Sequence, residues 1–193
     1  MIKLGVTGGI GSGKSYVCRR IEAAGFPVFY TDEAAQLEIK ENRSLRSRLR
    51  CLVSPKLFRA DGNLDKDIMR SFLQRSPGNA ALIDGVVHPC VRERWHRWTD
   101  KQKARIVGME CALLFEAHFD TEVDYKLFVS ASEDERLHRV MERDGVDVET
   151  VKRWIAMQMP DREKQKLCDF VVYNDSGQDI DSQLRKVVEA IGY

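Results

Sequence analysis

Apolar residues along this chain fall into short continuous runs separated by stretches at helical spacing. Ile2–Val6 is one such run, stopped by Gly8-Gly9, and predicts a buried strand. A helix is expected from about Gly13, with Val17, Ile21 and Ala24 on one face and Gly25 as its stop. Pro27–Tyr30 predicts a second buried strand, and Asp32 sits just past its end. Strand, glycine loop, helix and strand in this order make a βαβ unit, so the sheet is expected to be parallel. From Glu33 to Lys103 the spacing is mainly helical, interrupted at Ser54-Pro55, Asp61-Gly62-Asn63 and Ser76-Pro77-Gly78. His88-Pro89 is expected to begin a helix, because proline suits the first helical turn. Ala104–Met109, Tyr125–Val129 and Phe170–Tyr173 are three more strand candidates. Ser132 and Glu135 have capping-box spacing and should open a helix through about Asp144, with Leu137, Val140 and Met141 as its apolar face. Asp147 opens another, carrying Val151, Trp154 and Ile155 on one face. Ile180, Leu184, Val187, Val188 and Ile191 line a closing helix. No repeat or linker interrupts the pattern, which predicts one α/β domain over 1–193 with helical insertions.

Composition narrows the function classes. With 193 residues the chain builds one sizeable core, and 43% hydrophobic with 32% charged residues describes an ordinary globular protein. A net charge of +1 argues against a nucleic-acid binder, and no apolar run approaches the roughly 20 residues of a membrane span. Cys18, Cys51, Cys90, Cys111 and Cys168 are scattered, without C-x-x-C spacing, and read as core filler in a reducing compartment. The first strand runs straight into the glycine loop, leaving no room for a leader, so a cytoplasmic protein is expected.

That loop carries the chemistry. Gly8-Gly9-Ile10-Gly11-Ser12-Gly13-Lys14-Ser15 satisfies G-x-x-x-x-G-K-[ST] in full, between an apolar strand and an amphipathic helix. The glycines let successive N–H groups face one anion, and the following helix adds its positive end. Lys14 is expected to reach the β- and γ-phosphates and the Ser15 hydroxyl to ligate Mg²⁺. The motif alone serves kinases, switch GTPases and motor ATPases. The chain contains neither Asp-x-x-Gly nor Asn-Lys-x-Asp, which removes the switch-protein reading as a favourite.

Other residues leave alternatives open when read singly. Asp32, past the second strand, suits either a general base at the crevice end of a parallel sheet or an N-cap for the Glu33–Lys40 helix. Arg136, Arg139 and Arg143 share one helical face, which is either a solvated basic surface or a lid that closes on phosphates. Between Glu41 and Asp61 every charge is positive, which suits a solvated helix face or an approach side for an anionic substrate. His88 reads as a capping or core residue, and Leu113-Leu114-Phe115-Glu116 as core or as a wall of the crevice.

Taken together, these residues resemble the dephospho-CoA kinase family over essentially the whole length. The resemblance rests on Val6-Thr7-Gly8-Gly9-Ile10-Gly11-Ser12-Gly13-Lys14-Ser15, Asp32, Asp61-Gly62-Asn63-Leu64-Asp65, His88-Pro89, Leu113-Leu114-Phe115-Glu116 and Arg139…Arg143-Asp144, followed by Gln158, Lys164, Asp169 and Asn174. It implies a three-layer P-loop NTPase-type α/β fold with a parallel central sheet, a helical substrate-binding insertion at about 33–103 and a helical lid at about 133–166. ATP would lie on Gly11, Ser12, Gly13, Lys14, Ser15 and Tyr16, with adenine near Arg139 and Asn174 and Mg²⁺ on Ser15. The 3′-hydroxyl of dephospho-CoA would face Asp32, and Thr7, Lys14, Ser15 and Arg143 would surround the transferred phosphoryl group. Lys66, His88, Leu114, Phe115 and Glu116 would line the substrate side. The resemblance implies small-molecule partners only, with no nucleic acid and no membrane; the sequence does not give the oligomeric state, for which a monomer is plausible. Tyr16 stands where the family has threonine, Tyr30-Thr31-Asp32 where it has Asp-Ala-Asp, Lys66 for arginine and Ala112 for proline. A kinase for another nucleoside-like acceptor, or an ATPase, remains the alternative reading.

Overall fold

A computed structural model describes residues 1–192 of the chain. Its elements are β1 (Ile2–Thr7), α1 (Lys14–Ala23), β2 (Val28–Tyr30), α2 (Thr31–Glu41), α3 (Arg43–Leu52), α4 (Lys66–Arg75), α5 (Gly78–Thr99), β3 (Ile106–Glu110), β4 (Tyr125–Ser130), α6 (Glu133–Asp144), α7 (Val148–Ala156), α8 (Asp161–Lys166), β5 (Phe170–Tyr173) and α9 (Ile180–Ala190). They form two compact units: residues 1–29 with the chain from Gln102 onward, and Tyr30–Lys101.

The first unit is built on an all-parallel five-stranded sheet in the order β2-β3-β1-β4-β5, flanked by helices. β1 is central, pairing Ile2 with Ile106 on one side and Leu4 with Tyr125 on the other. Every residue of β3 is buried, the mark of a strand covered on both faces. This is why its sequence is a continuous run rather than an alternation. α1 packs on β1 and β3, and α9 packs beside it on β5. Ile180, Leu184 and Val187 of α9 are buried at the expected helical spacing. At the outer edge of the sheet, Gln183 accepts from the Tyr173 N–H at 2.8 Å and donates to the Tyr173 carbonyl at 3.0 Å.

The second unit is a helical cluster. Val87, Val91, Trp95 and Thr99 form one buried stripe along α5, and α2, α3 and α4 each pack on that helix. Glu38 of α2 is 2% exposed and accepts from Asn42 Nδ2 and Arg94 Nε, both at 2.7 Å. Burial raises this carboxyl, yet the hydrogen bonds and Arg94 outweigh burial and hold it below the ordinary carboxylate range. Part of the positive run is structural. Arg46 donates to the carbonyls of Ile39, Lys40 and Gly62 and lies 3.9 Å from the centre of the Phe58 ring, while Arg59 pairs with Asp65 at 3.0 Å.

Four local expectations need correction. α5 begins at Gly78, eleven residues before Pro89, and runs through it. Proline in a helix interior deprives the carbonyl four residues back, here Gly85, of its partner. Tertiary packing of the stripe carries the helix past that defect. The capping box does not form, because Asp175 takes the Ser132 N–H at 2.8 Å and Glu135 turns to Arg139 and Ser176 instead. On α6 the buried residues are Arg136 and Val140, whereas Met141 is 39% exposed. Of the cysteines, Cys18 and Cys111 are buried, Cys90 and Cys168 are half-buried, and Cys51 is exposed. Burial pushes the Cys168 thiol up to about 12.

Candidate active site

The loop after β1 folds as a phosphate cradle because its glycines permit conformations that other residues resist. Gly11 (φ 79°) and Gly13 (φ 85°) are left-handed. Gly13 caps α1, and a Cβ there would collide with Asn174 Nδ2. α1 starts at Lys14 with no acidic residue in its first turn, so its positive end is not neutralised locally. Lys14 Nζ donates to the carbonyls of Gly8 (3.0 Å) and Gly9 (3.2 Å), which turns its ammonium back over the loop. Thr7 and Ser12 are fully buried, and their hydroxyls have no hydrogen-bond partner among the described residues. Ser15 is exposed at the helix start, with no side-chain hydrogen bond among the described residues. A hydroxyl so placed fits a magnesium ligand. Tyr16 follows it, 46% exposed.

Three elements from the carboxyl-terminal half of the chain close on the loop. Asn174, at the end of β5, donates to the Ser12 carbonyl at 2.8 Å, and its own carbonyl accepts from Arg139 Nη2 at 2.8 Å. Gln158 accepts from the Ile10 N–H at 3.1 Å. Arg136 Nε donates to the Ile10 carbonyl at 2.7 Å, while its Nη1 pairs with Asp161 at the start of α8. Arg143 lies elsewhere. It is 67% exposed and pairs with the adjacent Asp144 at 2.7 Å.

The Leu114–Glu116 segment follows β3. Leu114 is fully buried against Gly5, and Phe115 is 8% exposed, so both side chains serve the core. Glu116 meets Lys164 of α8 at 2.9 Å and accepts from the Met159 N–H at 3.1 Å. Lys164 is fully buried and also donates to the Ala112 carbonyl at 3.0 Å. Glu116 thus pins the α7–α8 connection to the end of β3. Burial raises the Glu116 carboxyl, but the Lys164 hydrogen bond leads the opposing causes and holds it below the ordinary glutamate value. Its stabilisation is therefore present above about pH 4.3 and lost as pH falls through the lower folded value. Glu116→Gln leaves a buried ammonium without its counter-charge. The expected loss is about 3 kcal/mol at pH 7, or roughly 6–12 °C in Tm, read by thermal unfolding.

In the second unit, Asp32 is the second residue of α2, whose N-cap is Tyr30. Its exposed carboxylate has no hydrogen bond or ion pair among the described residues. The N-cap role expected as the alternative therefore does not fall to Asp32. Lys66 is the exposed first residue of α4, capped by Asp65. His88 lies mid-way along α5 with Asp84 at 3.6 Å; burial, chiefly, holds its imidazole below the usual range. Sequence reasoning missed Gln158 and Asp161 as partners of the loop. Asp161 carried no signal beyond its position after Pro160.

The dephospho-CoA kinase family model matches residues 2–179. A Bacteroides fragilis protein named dephospho-CoA kinase is 35% identical over 188 residues, covering 97% of this chain and 91% of that protein. A crystal structure of a Thermus thermophilus protein superposes with a TM-score of 0.87 at 32% identity, covering 100% of this chain and 98% of that one. A Campylobacter jejuni dephospho-CoA kinase structure shares the fold, with a TM-score of 0.70 at 23% identity over 98% and 96% of the two chains.

Proposed function

From its membership of the dephospho-CoA kinase family, to which this chain belongs, we infer that it transfers the γ-phosphoryl group of ATP to the 3′-hydroxyl of dephospho-CoA, giving coenzyme A and ADP. This is the last step of coenzyme A synthesis. The observation that carries the chemistry is the loop itself, where left-handed glycines lead into an uncompensated helix start and the Lys14 ammonium is held over Gly8 and Gly9.

In this reading Lys14 offsets charge on the β- and γ-phosphates, and the loop N–H groups hold the triphosphate. Thr7 and Ser12 supply their buried hydroxyls to phosphate oxygens. Ser15 would hold Mg²⁺, which when bound would neutralise charge on the phosphates. Gly11, Gly13 and Tyr16 border the nucleotide, and Arg139 with Asn174 supports its base. Asp32 accepts the proton of the 3′-hydroxyl as the ribose oxygen bonds to the γ-phosphorus and the bond to ADP breaks. Lys66 and His88 serve the substrate, as does Glu116 in the segment after β3, with Leu114 and Phe115 as the buried backing of that segment. Arg143 reaches the phosphoryl group only if its pair with Asp144 opens.

The test is a product assay. The protein is incubated with Mg²⁺ and ATP, and with dephospho-CoA, adenosine or AMP as acceptor, and products are followed by mass and by phosphorus NMR. One added phosphoryl group on the 3′-oxygen of dephospho-CoA is expected. ADP release that ignores the acceptor, or preference for another acceptor, would overturn the reading.

A further inference from the structure

We propose that Arg136 contacts the terminal phosphate of bound ATP and lets the site tell ATP from ADP. The proposal rests on the ATP-dependent reading above and assigns a residue to it. Arg136 is 6% exposed, which is rare for an arginine without full pairing. Two arms of its guanidinium are fixed, Nε on the Ile10 carbonyl at 2.7 Å and Nη1 on Asp161. The third, Nη2, is buried and has no partner among the described residues. It lies against Gly9, where any Cβ would collide with it and with Asp161. A buried charged donor left unmade is costly, so a site that keeps one against the phosphate loop has a use for it.

Position along the loop decides which phosphate. Backbone groups near the helix start cradle the α- and β-phosphates, and the lysine reaches toward β and γ. Lys14 Nζ lies over Gly8 and Gly9, the same end of the loop that Nη2 abuts. Arg139 occupies the opposite end, held by Asn174, which bonds the Ser12 carbonyl. The two lid arginines therefore divide the loop between them, Arg136 with the terminal phosphate and Arg139 with the nucleotide end. Asp161 fixes the plane of the Arg136 fork without taking up its third donor.

The experiment measures dissociation constants for ATP and ADP by titration calorimetry in the unaltered protein and in Arg136→Gln, Arg136→Lys and Asp161→Asn. Arg136→Gln is expected to weaken ATP by about tenfold or more and ADP by less than about twofold. Arg136→Lys, which keeps charge and loses the fork, should lie between. Asp161→Asn keeps the guanidinium on the Ile10 carbonyl and should retain the preference for ATP. Equal loss of ATP and ADP in both Arg136 variants would make the residue a structural brace and overturn the proposal. An Asp161→Asn loss of discrimination as large as that of Arg136→Gln would also overturn it, as would unchanged ATP affinity in the Arg136 variants. Failure of the unaltered protein to bind ATP would be a different result, removing the ATP-dependent reading itself and this proposal with it.

Discussion

Lys14→Ala is expected to lower kcat/KM by roughly a thousandfold or more, the largest effect of any single substitution considered for this chain. The Lys14 ammonium is attached to the loop by the Gly8 and Gly9 carbonyls, at 3.0 and 3.2 Å, so it is positioned before the nucleotide arrives. Positioned charge in a partly desolvated site is worth much more than the same charge in water. The residue is also the first of α1, where alanine is an excellent helix former, so the helix itself should persist. Circular dichroism should therefore match the unaltered protein while product formation falls to background. An active Lys14→Ala protein would end the assignment of Gly8–Ser15 as the phosphate site.

Asp32→Asn separates chemistry from folding almost as sharply. Asp32 caps nothing and pairs with nothing among the described residues, so an amide there removes only a favourable charge at the start of α2. Tm should move by less than about 3 °C. In a loose phosphoryl-transfer transition state the acceptor oxygen needs orientation as much as deprotonation, which places the catalytic loss near a hundredfold. ATP affinity should hold, since the loss belongs to the acceptor step. Measured together, kcat, the ATP dissociation constant and Tm give a distinctive triple. Full activity in Asp32→Asn would exclude it as the base.

The phosphate loop and the five strands were legible because each is written in consecutive residues. An apolar run, a glycine pattern and a lysine all lie within Ile2–Ser15, and the strands fall within about two residues of their expected ends. What could not be read depends on partners distant in sequence. Arg136 looks like part of a solvated face until Ile10, 126 residues away, offers its carbonyl and Asp161 its carboxylate. Glu116 reads as a crevice residue until the fully buried Lys164 is seen to claim it. Ser132 and Glu135 have ideal capping spacing, yet Asp175 and Ser176 after β5 compete successfully for both. The start of α5 was misplaced because Pro89 is a good opening residue in isolation, whereas the apolar stripe from Val87 to Thr99 spans it.

The Gln183–Tyr173 pair bears on how the molecule behaves at high concentration. β5 is the last strand of the sheet, and an open strand offers unpaired amides that recruit further strands from neighbouring molecules. Gln183 presents a side-chain amide in the place where another backbone would dock, taking both the Tyr173 N–H and its carbonyl. The opposite border, β2, is only three residues long. A sheet terminated by a glutamine on one side and by brevity on the other gives intermolecular strand pairing little to template on, so resistance to fibrillar association is built into the borders of the fold.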